Sequence, residues 1–363
     1  MLGIIRFFLA SCVILFHLSA KTPGLGLYAV NCFYVISGYL ITLILNRTYK
    51  FKFTPFAINR FLRLFPTYWF ACITSIICIY FVNNPTAFHS SYGLHFSFQE
   101  IISNILLIPW AFFSDNKMTS PFQTFTAPEI LNFNGYMFRA VTSSWSVAVE
   151  IICYLFLWLF VAKGPKRTIL VIIISSAYHW YSLGHSDNLN TTYSSFLAAM
   201  LPFSIGSLGY FISDIIEKKN PNAGKTFGYQ IIFFSIFVAT FLINWLIGWF
   251  EGKTVASFYY YFNNIIALFG VISLHATKLP ERLKKTGRLL GDISYPIFLC
   301  HFIFGLIAWS ILGKPVDTVG WYIFFIGYSF SLLFGYISIL LIDRPISKIR
   351  DKIRDEIRDK IKP

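Results

Sequence analysis

Residues 6–17 read RFFLASCVILFH, with Arg6 and His17 bracketing ten residues that carry no charge. The apolar run around them, 3–20, is long enough to cross a hydrocarbon core of roughly 30 Å as a helix. Comparable runs recur at about 30–46, 64–82, 145–162, 167–182, 196–216, 228–249, 256–275, 293–312 and 320–342. The whole chain of 363 residues is 56% hydrophobic, 20% aromatic and only 13% charged, with mean hydropathy +0.62. Soluble domains carry about 25% charged residues, and a soluble core could not hide so many long apolar helices. The sequence therefore predicts an all-α, polytopic transmembrane bundle of about ten spans. The first run has the look of a signal peptide, but Ser19-Ala20-Lys21 is a weak cleavage site and Arg6 is the one basic residue ahead of it, so it is expected to be retained.

The formal charge of +14 raises the possibility of nucleic acid. Its distribution excludes that class, because the Lys and Arg sit in short loops between spans, which reports orientation. Arg47, Lys50, Lys52, Arg60 and Arg63 mark one cytoplasmic loop. Lys163, Lys166 and Arg167 mark the next, followed by Lys218, Lys219 and Lys225, by Arg282, Lys284, Lys285 and Arg288, and by the tail from Arg344. The intervening loops 83–100 and 183–195 are nearly free of Lys and Arg. These marks agree only if the apolar stretch at 101–113, which contains Pro109, does not cross. It is expected to be re-entrant or interfacial on the outer side, with 101–144 a candidate cavity wall, and both termini are expected in the cytoplasm.

Residues 1–345 read as one membrane domain. The tail 346–363 repeats Ile346, Ile349, Ile353 and Ile357 among mixed charges, the pattern of an amphipathic helix on a cytoplasmic lipid surface or a short coiled-coil contact. It is assigned no chemistry. The six cysteines lie in or beside apolar runs without metal-ligand spacing, and no metal is expected.

Four constellations could carry chemistry. Eleven residues at 100° each bring Arg6 and His17 back to within about 20° of one helix face, roughly 16 Å apart along the axis. A snorkelling arginine and a satisfied histidine would give the same pattern, yet an ionisable residue at membrane depth is a functional candidate by default. In NRFLRLFPTYW, Arg60 and Arg63 stand one turn apart, a geometry suited to phosphate oxygens, although orientation alone also puts basic residues there. In SSWSVAVEIICYLF, Glu150 is placed at about the depth of His17, where a Glu–His pair would solve the cost of a buried carboxylate and would also be acid–base equipment. In GDISYPIFLCH, His301 falls mid-span, Asp292 reads as a helix start and Pro296 as a kink one turn in.

Taken in order, these pieces resemble the acyltransferase-3 family of integral membrane acyltransferases. The family's R-x10-H pattern is met by Arg6 and His17, and its FFVISGYL box by FYVISGYL at Phe33 to Leu40. R-x-x-R is met by Arg60 and Arg63, and WS-x-x-x-E followed by a Tyr by Trp145, Ser146, Glu150 and Tyr154. ISY-x-x-x-L-x-H is met by Ile293, Ser294, Tyr295, Leu299 and His301, and the closing acid-basic-Pro by Asp343-Arg344-Pro345, with Asp where Glu is usual. The resemblance covers essentially the whole chain.

It implies transfer of an acyl group, acetyl first among them, from cytoplasmic acyl-CoA to a hydroxyl of an extracytoplasmic carbohydrate such as lipopolysaccharide O-antigen, in a bacterial inner membrane. His17 is then the general base, with a transient acyl-His the alternative, and Glu150 orients or compensates it. Arg6, Arg60 and Arg63 would hold CoA phosphates, while Ser37 and Tyr39 are candidates to line the tunnel and Gly38 to permit close helix packing. Arg139, Trp145, Ser146, Tyr295 and His301 are acceptor or cavity candidates. Some members of that family carry a fused extracytoplasmic hydrolase-like domain; this chain stops shortly after its last span, and the membrane domain is expected to act alone. The competing class is a proton-coupled transporter or flippase of a small molecule or lipid-linked sugar, against which stands the lack of an internal repeat.

Overall fold

The computed structural model describes residues 1–93, 97–112, 138–185, 190–219, 227–253, 257–273 and 280–359. Among these residues the chain is all helical. The α-helices are α1 (Leu2–Ser19), α2 (Leu25–Ile44), α3 (Phe53–Phe81), α4 (Phe98–Leu106), α5 (Ser144–Leu159), α6 (Pro165–His185), α7 (Phe196–Lys219), α8 (Phe227–Phe250), α9 (Phe258–Ser273), α10 (Glu281–Ile311), α11 (Trp321–Ser338) and α12 (Arg344–Asp359). A helix occupies each of the ten expected stretches. Eight helical segments are long and apolar enough to cross a membrane. The two remaining stretches are α6 and α9, the latter of 16 residues.

The segment at 101–113 behaves as its composition requires. Helix α4 has nine residues, about 13.5 Å at 1.5 Å per residue, too short to cross. Its start is fixed by a capping box, in which Ser97 Oγ accepts from the Glu100 N–H and Glu100 Oε2 accepts from the Ser97 N–H. A 3-10 turn at Ile108–Ala111 follows. Residues 113–137, the greater part of the expected cavity wall, lie outside the described residues, as do Lys225 and 360–363.

Helix α2 is the centre of the bundle. Two thirds of its apolar window is buried, and it packs on α1, α5, α7 and α9. Close approach to α7 depends on glycine: a Cβ on Gly38 would stand 2.0 Å from the carbonyl oxygen of Phe203, and one on Gly206 would stand 1.9 Å from that of Val35. Small residues let helix backbones meet in this way where lipid offers no hydrophobic drive between helices. Tyr34 stacks on Phe203 and Tyr39 meets Tyr210 edge-on, so α2 and α7 run in the same direction. Buried amides tie α2 to α9: Asn31 donates to Asn264 Oδ1 at 3.0 Å, and Asn263 donates to Asn31 Oδ1 at 2.9 Å.

Helix α1 lies parallel to α10, with Gly3 against the Gly287–Gly291 backbone and Leu18 against Gly305. Helix α10 starts at Glu281 and continues through Pro296. Asp292 is therefore mid-helix, not a helix start; its polar first turns extend an apolar span beyond the hydrocarbon length. The amino ends of α1, α3 and α10 and the junction of α11 with α12 gather at one end of the bundle, as the contacts Gly3–Gly291, Tyr295–Leu64 and Arg63–Asp343 require. Outward faces carry exposed apolar side chains such as Ile73, Ile173, Ile236, Phe269 and Phe325, the surface expected where lipid replaces water.

Candidate active site

Four helices line a partly open cavity of about 40 Å³. Helix α1 contributes Arg6, α2 contributes Val30, Phe33, Tyr34 and Ser37, α5 contributes Ser146, Val147 and Glu150, and α10 contributes Ser294, Tyr295 and Phe298. Helical spacing explains the set. Val30, Phe33, Tyr34 and Ser37 recur at three and four residues, as do Ser146, Val147 and Glu150, so each group lies on one face. The polar lining converges on Glu150. Ser37 Oγ donates to Glu150 Oε1 at 2.6 Å, and the Tyr154 hydroxyl donates to the same oxygen. The guanidinium of Arg6 borders the same space without a hydrogen-bond partner among the described residues and without a direct ion pair to Glu150.

The imidazoles form a neighbouring group. The His17 ring lies 5.3 Å from that of His301 and 4.6 Å from Phe302, centroid to centroid. His301 is fully buried. Its Nδ1 donates to the Phe298 carbonyl at 2.7 Å, which leaves Nε2 as the lone-pair nitrogen, buried and without a partner among the described residues. Phe298 borders both places, since it lines the cavity and lies 6.0 Å from the His301 ring. On the far side of Phe302 stands His89, 5.2 Å away, whose Nδ1 accepts from the backbone N–H of Ser91.

The expected direct pair between Glu150 and His17 is not formed. Glu150 belongs with Ser37, Tyr154 and Arg6, and the neighbour of His17 is His301. The cause is depth. Residues 138–144, which lead into α5, are already buried, held by Glu100 Oε1 accepting from the Phe138 N–H at 2.6 Å and Asn104 Oδ1 accepting from the Ala140 N–H at 2.9 Å. Helix α5 thus begins inside the protein, and Glu150, about 9 Å further along at 1.5 Å per residue, arrives at the level of Arg6.

At the end of the bundle near Arg6, Tyr295 links the cavity to the arginine pair, because its hydroxyl donates to the Leu64 carbonyl at 3.0 Å. Arg63 Nη1 lies 3.3 Å from Asp292 and 3.9 Å from Asp343, and Thr67 donates to Asp343 at 3.3 Å. Arg60 Nη2 donates to Asn59 Oδ1 at 2.9 Å. Arg60 and Arg63 are therefore one turn apart as the spacing requires, but their surroundings differ: carboxylates neutralise Arg63, and Arg60 meets a neutral amide.

The other sequence candidates divide in the same way. Ser146 and Tyr295 line the cavity. Tyr39 is buried between α2 and α7 and does not border it. Trp145 turns aside to meet Tyr193 edge-on. Arg139 is buried, stacked 4.6 Å over Trp110, with Nη1 donating to the Thr142 carbonyl at the turn into α5. The described part of 101–144 supports this same turn, and α5 first reaches the cavity at Ser146. Sequence reasoning missed Ser294 and Phe298, which share a face with Tyr295, and His89, which lies in a loop without periodicity. Among the described residues no three His, Cys, Asp or Glu side chains gather as a metal site.

The family model described as an acyltransferase domain matches residues 2–340. The chain belongs to the acyltransferase-3 family. Relatives include proteins bearing the name putative O-acetyltransferase in Staphylococcus aureus strains COL, MSSA476 and MRSA252. Each is 24% identical over 359 residues, covering 93% of this chain and 55% of the relative. The chain thus spans about half the length of the curated relatives it matches. No solved structure matches it. Membership fits a multi-pass membrane protein, and the eight long apolar helical segments among the described residues supply the spans.

Proposed function

We propose that this chain is a membrane-embedded O-acyltransferase that moves an acyl group, acetyl first among candidates, from cytoplasmic acyl-CoA to a hydroxyl of an extracytoplasmic carbohydrate. Lipopolysaccharide O-antigen and related surface polysaccharides are the acceptors of choice, and the bacterial inner membrane is the location. The supporting observation is the order in which polar groups follow one another along the bundle. It runs from Arg60 and Arg63 through Tyr295 to the cavity of Arg6 and Glu150, and past Phe298 to His301 and His17. The basic loops argue that the arginine end faces the cytoplasm, with both termini there. Residues 1–345 then form the transfer domain and 346–363 its cytoplasmic tail.

In this reading the arginines hold the phosphates of CoA, and the acyl-pantetheine arm enters the cavity along Ser37 and Tyr295. His17 takes the proton of the acceptor hydroxyl as its oxygen attacks the thioester carbonyl. The C–O ester bond forms, the C–S bond breaks, and the proton passes to the departing CoA sulfur. His301, with Nδ1 committed to the Phe298 carbonyl, is the adjoining imidazole and assists His17 in handling the proton. Glu150 balances the charge of Arg6 across the cavity, and Ser37 and Tyr154 hold that carboxylate in place.

The test is mass analysis of envelope glycans from cells with and without this chain. An added acyl ester on one glycan in its presence is the expected result. Identical glycans, together with proton-driven uptake of a solute by proteoliposomes, would favour the transporter class instead.

A further inference from the structure

The tail helix α12 carries mixed charges, among which Asp351 and Arg354 pair at 3.1 Å, both half exposed. Arg350 behaves differently. It turns toward α3, where its Nε and Nη2 both stand 3.5 Å from Oδ1 of the buried Asn59. That oxygen is the one that already accepts from Arg60. Two guanidinium groups thus converge on one neutral amide oxygen, with no carboxylate within 4 Å of either among the described residues, while both nearby carboxylates, Asp292 and Asp343, are directed to Arg63.

The donor count is lopsided. Two guanidiniums bring about ten N–H donors, and one amide oxygen meets few of them. Arg60 Nε is buried with no hydrogen-bond partner among the described residues. Like charges so close repel unless an anion joins them, and planar guanidiniums are shaped to grip phosphate oxygens in pairs. The contacts of Arg350 to Asn59 sit at the outer limit of a hydrogen bond, so the side chain turns to a better acceptor at little cost. The helix itself is anchored: Ile353 packs on the core, and α12 leaves the π-helical turn Ile339–Asp343 whose last residue binds Thr67 and Arg63.

We infer that Arg350 completes the phosphate-binding site of the donor, so that the working guanidinium pair is Arg60 with Arg350, and Arg63 is chiefly the anchor that ties α3 to α10 and the α11–α12 junction. The inference rests on the acyl-CoA reading above and names the ligand groups: the phosphates of the nucleotide portion of CoA. It gives the tail, which the sequence leaves without chemistry, a binding role at the cavity mouth.

The test uses the full chain in nanodiscs of phosphatidylcholine, titrated calorimetrically with CoA. Arg350→Ala is expected to weaken CoA binding on the order of tenfold, Arg350→Lys to recover part of the loss, and Lys352→Ala, on the exposed face, to change nothing. Thermal melting of each variant checks the fold, and Arg350→Lys keeps the comparison valid if the alanine variant melts early. Equal CoA affinity in wild type and Arg350→Ala would overturn the inference and leave the acyl-CoA reading intact. Wild-type protein that binds no CoA would overturn both. If phosphatidylglycerol in the nanodisc abolishes the dependence on Arg350, the site belongs to lipid headgroups, and the inference fails in that way.

Discussion

The imidazole of His17 lies 5.3 Å from that of His301, tilted by 31°, and both rings contact Phe302. This pairing joins α1 to α10 near the end of the bundle opposite Arg6. His301 is locked by its bond to the Phe298 carbonyl, so the nitrogen it presents is set by the backbone. The imidazole adjoining His17 is thus His301, while Glu150 stands elsewhere, with Ser37 and Tyr154.

His301→Ala should lower transfer by on the order of a hundredfold, within the range for a lost acid–base group, with the KM for acetyl-CoA nearly unchanged. The measurement is initial rate against acetyl-CoA concentration. A rise in KM with kcat preserved would assign His301 to donor binding instead.

Ser37 and Glu150 form a hydrogen bond to a charged group, a class that contributes about 1.5–3 kcal/mol. Ser37→Ala and Tyr154→Phe should each cost part of the activity lost in Glu150→Gln. In Glu150→Gln, adding Ser37→Ala should cost little more, because the bond is already weakened. Additive losses in this double-mutant cycle would show that Ser37 acts independently of Glu150.

Arg60 and Arg63 should separate in mutation. Arg60→Ala should raise the KM for acetyl-CoA with little loss of thermal stability. Arg63→Ala leaves two carboxylates facing each other, Asp292 and Asp343, and should lower the melting temperature first. Pairing Arg63→Ala with Asp343→Asn should restore part of that stability, as differential scanning fluorimetry in detergent would report.

Gly38→Ala should destabilise the protein by about 1–3 kcal/mol through overpacking, since the new methyl meets the Phe203 carbonyl. Gly184→Ala, where nothing lies within 4 Å, is the matched control and should be neutral. Equal melting temperatures for the two variants would refute the close packing of α2 on α7.

The ten helical stretches were legible because length and apolar composition decide them almost without tertiary information. That 101–112 holds no long helix was legible too, since Pro109 interrupts the apolar stretch. The boundary of α10 was not, because its first turns are polar and carry no apolar period. Glu150 was found but misplaced by depth, since the buried entry 138–144 is held by Glu100 and Asn104, partners that no local pattern announces. Asp292 and Asp343 as partners of Arg63, and Arg350 beside Arg60, come from distant parts of the chain. Their meeting depends on helix packing that spacing within one segment does not encode.

The claim at the centre of this account is that acyl transfer depends on the imidazole of His17. The most direct measurement is the ester content of surface polysaccharide, by proton NMR, in cells expressing the wild-type chain or His17→Ala, with membrane abundance checked by immunoblot. The account predicts that the acyl signals vanish while the variant remains in the membrane at wild-type level. Undiminished ester content in cells expressing His17→Ala would contradict it.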